Sequence, residues 1–347
     1  MAHGGDIYGN RVKQDHSVSL NPNGTPEAVL CALKDAKDAS GAYPDPMQER
    51  VRERIAKTVG VDASCVVAGN GASELLLAAV RSAMPEKAFL FEPSFTGYAH
   101  VLNACGCEIL RHTLKRENGF AVTFEDAEAV PDDADPVLLC DPGNPSGRRI
   151  PEDVLEAILT RARENAQTVI IDESFLALSE PAERAAKILA AHENVILIRS
   201  LTKLFAIPGV RAGYALSSKE QIEGITAQLP EWNLSCYGEA AIAAGMDVLN
   251  ETDYLKDSLA LIGNERNYLM RALHMLGLKS YGSESCYLLF SGPKELGGEL
   301  LRRGILIREC GDFYGLTDRD YRIGIRTHEE NAALMEAVRD CLCHLKR

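Results

Sequence analysis

The feature that most constrains this chain is a series of short, continuous apolar runs set between helical stretches. Ala88–Phe91, Val137–Cys140, Val169–Ile171, Val195–Ile198 and Ala212–Leu216 are bounded by turn residues and separated by segments such as Pro151–Asn165. A strand that is apolar at every position is covered on both faces. Helical crossovers supply that cover, so the pattern predicts parallel strands between two helical layers. Val66-Val67-Ala68 adds a short strand ending in Gly69-Asn70-Gly71, and Ser73–Met84 returns to helical spacing. Pro26–Lys37 and Met47–Val59 read as helices, while the first forty residues are otherwise rich in Gly, Asn and Pro and read as an extended arm. After about Pro230 the texture changes to a long helical stretch, Gly238–Leu276. Strands at Cys286–Phe290, Ile305–Ile307 and Tyr321–Ile325 and a last helix, Glu329–Leu345, follow it. The predicted organisation is α/β: a three-layer large domain with a mostly parallel central sheet over 41–235, plus a small α+β domain. The small domain would combine the arm, 1–40, with 236–347.

Composition narrows the function classes. Lys plus Arg number 37 and Asp plus Glu 50, a net charge of −13. An acidic chain lacks the basic stripe of a nucleic-acid binder and the polybasic patch of a membrane-surface protein. No run approaches the roughly 20 apolar residues of a membrane span. The first ten residues have no apolar signal core. Ten scattered cysteines without a C-x-x-C pair suit a reducing, cytoplasmic setting. Cys341, Cys343 and His344 do not share a helix face, so no metal site is expected there.

The sharpest local segment is Ser200–Tyr214, which follows the run Val195–Ile198 and contains Lys203 and Arg211. A lysine at the end of a buried strand is partly desolvated, which lowers its pKa and makes its amine nucleophilic. Ser200 and Arg211 suit a phosphate, one as a hydroxyl donor and the other as a bidentate guanidinium. A lone lysine in a turn is usually only a surface residue. Here the whole segment resembles the pyridoxal-phosphate lysine motif of the class I/II aminotransferase superfamily, fold type I. Asp141-Pro142-Gly143-Asn144-Pro145-Ser146-Gly147 resembles that superfamily's N-P-x-N-P-[ST]-G loop, with Asp141 in place of the first Asn. Ile170–Phe175 resembles its D-E-[AS]-[YF] motif. Asn144 stands 28 residues before Asp172, Lys203 stands 31 after it, and Arg211 follows Lys203 by eight.

The resemblance implies an aspartate-aminotransferase-like fold and pyridoxal 5'-phosphate bound through a Schiff base to Lys203. It implies that Asp172 pairs with the protonated ring nitrogen, although an Asp after a strand is otherwise an ordinary helix cap. Asn144 would donate to the ring oxygen. Phe95 would stack on the ring, where its plain alternative is a core aromatic. Ala72 and Ser73, at the start of a helix after a Gly-rich turn, would donate to the phosphate with Ser200 and Arg211. Tyr43 would reach the cofactor phosphate of a second subunit, implying a homodimer with sites at its interface.

Arg322 falls where the superfamily binds a substrate carboxylate. On a strand, Arg322 and Arg326 share a face and could hold two anions, the plain alternative for Arg326 being a solvated charge. Two branches are similar: threonine-phosphate decarboxylases of cobalamin biosynthesis and histidinol-phosphate aminotransferases. The opening His3-Gly4-Gly5-Asp6-Ile7-Tyr8, the arm Ser17–Gly24 with Asn21, the segment Ile307–Leu316 with Arg308, and Arg322–Asn331 all resemble the decarboxylase branch. Phe175 does too, since transaminases of this group usually carry a Tyr there. Ser19, Asn23 and Tyr314 depart from that branch's pattern near the expected substrate. The expected partner is a small, phosphorylated amino acid, bound by Arg308, Arg322, Arg326, His3 and Asn21. Decarboxylation is the first expectation and transamination the second. The intact Asp172, Asn144, Lys203 and Arg211 argue against a non-catalytic binding protein.

Overall fold

A computed structural model describes residues 4–9, 11–179 and 184–345. His3 therefore lies outside the described residues. The chain begins on a two-residue strand, β1 (Gln14–Asp15). Seven strands then build the main sheet. They are β2 (Val66–Gly69), β3 (Lys87–Glu92), β4 (Glu108–Thr113), β5 (Val137–Cys140), β6 (Val169–Asp172), β7 (Val195–Ser200) and β8 (Gly213–Leu216). Their spatial order is β2-β8-β7-β6-β5-β3-β4.

The continuous apolar runs have the expected cause. Val169 and Ile171 enter one buried cluster while Ile170 enters another on the opposite face; Val137, Leu139 and Leu138 divide in the same way. The central strands β5, β6 and β7 alternate between two cores, so their inner positions must be apolar, and polar residues enter at their carboxyl ends. The edge strand β4 is partly exposed and carries Glu108, Arg111 and His112.

One strand departs from the predicted pattern. β8 runs antiparallel to both β7 and β2. The reason is the route of the chain: residues 201–212 stay at the carboxyl end of the sheet, where they form the turn carrying Lys203. The chain therefore re-enters the sheet from that end instead of crossing back.

The later strands are β9 (Lys279–Ser280), β10 (Tyr287–Ser291), β11 (Ile305–Leu306), β12 (Arg308–Glu309) and β13 (Asp320–Gly324). Four of them form an antiparallel sheet in the order β12-β13-β10-β9, while β11 pairs in parallel with β1. The strand expected at Ile305–Ile307 is the two-residue β11, and Arg308–Glu309 form β12 in the other sheet. The stretch expected as one long helical region is two helices, Cys236–Glu251 and Tyr254–Met275. No helix among the described residues is long and apolar enough to cross a membrane.

The arm is fastened to the end of β13. Gly324 N donates to His16 O at 2.7 Å. A Cβ at Gly324 would lie 2.3 Å from the Val18 carbonyl oxygen, so only a residue without a side chain permits this approach. Gly324→Ala is expected to push the arm away and to lower stability by about 1–3 kcal/mol, as overpacking does. Thermal melting of the purified variant checks this, and an unchanged melting temperature would contradict the packing role of Gly324.

Candidate active site

A cavity of about 320 Å³ opens at the carboxyl ends of β2, β3, β5, β6 and β7. Ligands in open α/β sheets bind at this edge because polar side chains and free helix N-termini gather there. Its wall includes Ala72, Ser73, Phe95, Asn144, Asp172, Ser200, Lys203, Arg211, Arg308 and Arg322. Ten of the residues singled out from the sequence thus meet in one place.

Lys203 sits on a single helical turn, Leu201–Leu204, directly after β7. Burial, and then the neighbouring guanidiniums of Arg322 and Arg211, lower its pKa to about 8. Its amine is thus much easier to free of its proton than an ordinary lysine. Asn21 does not reach the cavity wall. Its backbone N donates to Lys203 O at 3.0 Å, and its side-chain nitrogen donates to Leu204 O (3.0 Å) and Ser258 Oγ (2.8 Å). It clamps the lysine turn from behind, instead of meeting a substrate as expected.

Asp172 closes β6. Its carboxylate accepts from Tyr98 Oη at 2.7 Å and from Ser174 N at 2.8 Å. Burial raises its pKa, against these hydrogen bonds and the charge of Lys203. A cationic N–H facing it would favour the carboxylate. Tyr98 was not singled out from the sequence; its place three residues after Phe95 on the helix Thr96–Ala104 was the available signal. The Phe95 ring stands edge-on to Tyr98 at 5.5 Å, and a Cβ at Gly97 would lie 2.3 Å from Phe95 Cε1.

One corner is built for a phosphate. The helix Ala72–Ala83 starts there with no side-chain cap, leaving its first N–H groups without intrahelical acceptors. Gly71, at φ +82°, brings this turn so close to Arg211 that a Cβ would lie 2.9 Å from Arg211 Nη2. Ser200 Oγ and Thr202 Oγ1, 2.7 Å apart, complete the corner. Backbone donors, hydroxyls and a guanidinium thus converge where a bulkier residue would fill the space.

At the other end, Arg308 on β12 stands directly opposite Arg322 on β13. Both are buried. Arg322 donates to Asn144 Oδ1 at 2.5 Å and Ser17 O at 3.0 Å, and its guanidinium lies 5.3 Å from the Tyr287 ring centroid. With Oδ1 so engaged, the NH2 of Asn144 is its remaining donor. Arg326 does not line the cavity beside Arg322. The strand ends at Gly324, and Arg326 Nε and Nη2 both donate to Asp15 O, Nε at 3.0 Å. Tyr43 is also away from the cavity, 81% exposed and 4.9 Å from the ring of Trp232.

Behind the cavity lies a buried ionic network that sequence reasoning missed. Asp141 meets Arg149 Nε at 3.0 Å and Arg184 Nη2 at 2.6 Å, and it also accepts from Ile150 N at 3.0 Å. Glu173, next to Asp172, meets Arg184 and Arg199, each at 2.8 Å. The Asp at 141 was visible as a motif departure; its distant partners were not.

Three similarities bear on this arrangement. Residues 16–338 match the family model described as aminotransferase class I and II. Threonine-phosphate decarboxylase from Salmonella typhimurium is 32% identical over 333 residues, 94% of this chain and 91% of that protein. The crystal structure of histidinol-phosphate aminotransferase from Clostridium acetobutylicum superposes with a TM-score of 0.87 at 28% identity, covering 94% of this chain and 98% of that one.

Burial alone would raise the Glu173 carboxyl, but the guanidiniums of Arg199 and Arg184 offset this and hold it below its ordinary 4.5. A depressed carboxyl stabilises the fold above its unfolded pKa, and that contribution is lost as pH falls through the folded value. Glu173→Gln is expected to cost about 3–5 kcal/mol at neutral pH, the cost of breaking a buried ion pair. In thermal melts the gap between the two proteins should narrow as pH drops below 4.5.

Proposed function

The chain belongs to the class I and II aminotransferase family, and on that premise we propose that it is a pyridoxal-phosphate-dependent decarboxylase of a phosphorylated amino acid such as O-phosphothreonine. The observation that carries the reading is the pair of buried arginines facing each other across β12 and β13. Two guanidiniums side by side match a substrate with both a carboxylate and a phosphate. Histidinol phosphate offers only one such group, which makes transamination of that substrate the second reading.

The residues fit the cofactor. Ala72, Ser73, Ser200, Thr202 and Arg211 would hold its phosphate, Phe95 would cover its ring, and Asn144 would donate to its ring oxygen. Asp172, held by Tyr98 and Ser174, would keep its ring nitrogen protonated. When bound, the cofactor supplies an electron-accepting ring that takes up the charge left by a broken bond at the substrate's α-carbon.

The protein's own groups then decide which bond breaks. Arg322 and Arg308 would hold the substrate's two anions and so set how its carboxylate is oriented at the α-carbon. Lys203 supplies the amine that holds the cofactor before substrate arrives. Once displaced, that amine stands ready to return a proton to the α-carbon. Phe175 is buried in the cavity wall and has no hydroxyl with which to assist a transaminase-like step. We further place two copies together as a homodimer. The exposed Tyr43–Trp232 pair would lie at their contact, with Tyr43 directed to the partner's cofactor phosphate.

Cofactor-loaded protein is expected to release CO₂ from O-phospho-L-threonine with no requirement for 2-oxoglutarate, and Lys203→Ala to abolish it. A keto acid appearing only when 2-oxoglutarate is supplied would favour the transaminase instead. Only the neutral amine attacks an aldehyde, and the Lys203 pKa lies at about 8. Capture of pyridoxal phosphate by the apoprotein, followed by absorbance, is therefore expected to quicken as pH rises through that value.

A further inference from the structure

Arg308 and Arg322 are register partners with 5% and 8% exposure, yet their surroundings differ. Arg322 contacts neutral partners, the oxygens of Asn144 and Ser17 and the Tyr287 ring, and its Nε is buried without a partner. Arg308 already has an anion. Its Nη2 lies 2.8 Å from both carboxylate oxygens of Asp312, while Nη1 donates to Glu309 O at 2.7 Å.

The two members of that ion pair are unequally buried: the Arg308 side chain is 6% exposed and that of Asp312 is 32%. Asp312 also lines a second groove, which shares Phe313 with the cavity, together with Glu92, Arg111 and Tyr314. A carboxylate released from Arg308 has solvent on that side, beside an Arg111 guanidinium already paired with Glu92. Arg308 itself cannot follow, because β12 and the Phe313 ring, 5.1 Å from its Cζ, fix it at the cavity.

We propose that Asp312 is a displaceable counter-ion, which neutralises Arg308 in the empty site and gives it up to the second anionic group of the substrate. This rests on the cavity binding a doubly anionic amino acid. Asp312 thereby determines specificity. A phosphate carries close to two charges at neutral pH and outcompetes a carboxylate's single charge. A substrate with only one anion leaves the Arg308–Asp312 pair intact and is held by Arg322 alone. Asp312 acts through Arg308 and is a positioning residue.

The test uses cofactor-loaded protein and inorganic phosphate as the probe, with binding measured by calorimetry. Asp312→Asn is expected to bind phosphate about tenfold more tightly, since no internal carboxylate competes, and Asp312→Glu to match the wild type. The KM for O-phospho-L-threonine is expected to fall in Asp312→Asn by a similar factor, while that for L-threonine stays within twofold. Equal or weaker phosphate binding by Asp312→Asn would overturn the proposal, as would phosphate binding to none of the proteins. So would Asp312→Glu behaving like Asp312→Asn, since that would assign the effect to loop packing. Tighter phosphate binding with no turnover of phosphothreonine by any form would uphold the counter-ion while rejecting the proposed reaction.

Discussion

Burial of the main sheet on both faces governs where chemistry can occur in this molecule. Along β5, β6 and β7 each side chain enters one of two apolar cores, so a charged group inside a strand would be stranded without water or partner. The first positions free of that demand are the last residues of the strands and the turns beyond them. Asp172 ends β6, Ser200 ends β7, and Asn144 and Phe95 follow β5 and β3 by a few residues. The cavity is the place where the two-sided core stops.

The same constraint organises the electrostatics. The chain carries a net charge of −13, while Lys203, Arg211, Arg308 and Arg322 gather around a single cavity. Grouped cations lower one another's affinity for protons, and burial adds to the effect, as the depressed Lys203 and Arg322 values reflect. Two acidic residues sit a layer back. Asp141 and Glu173 are buried among Arg149, Arg184 and Arg199, and so are committed to structure. At the cavity itself Arg308 is paired with Asp312, while Arg322 has only neutral hydrogen-bond partners.

Much of the site was legible because its parts are local. Asn144, Asp172, Lys203 and Arg211 each lie in a short segment whose form follows from a strand ending in a turn. What was not legible depended on distance or on where an element stops. Arg326 was placed beside Arg322 by the two-residue period of a strand, but that period has no meaning after Gly324, where β13 ends. Arg308 was already named from its own segment, but its place opposite Arg322, 14 residues away in sequence, comes only through antiparallel register. The reversed direction of β8 was equally hidden, because a strand apolar at every position carries no sign of which way it runs. Asn21 belonged to a recognisable arm, yet its partners Leu204 and Ser258 are far along the chain.

That arm joins the two parts of the cavity wall. Lys203 and Asp172 are carried by the main sheet and the turn after it, whereas Arg308 and Arg322 are carried by the smaller antiparallel one. Under the proposed reaction, the orientation of the substrate's anions relative to the amine is therefore a relation between the two sheets, and something must fix it. Ser17 O accepts from Arg322, and four residues later Asn21 N donates to Lys203 O. A stretch of five residues spans at most about 18 Å and has few ways to lie between two fixed ends. Anchored at β13 by Gly324 and at the lysine turn by Asn21, it holds Arg322 at a set distance from the Lys203 turn. Under the proposed reaction, changes in this arm would therefore shift Arg322 relative to Lys203 even where neither residue is changed.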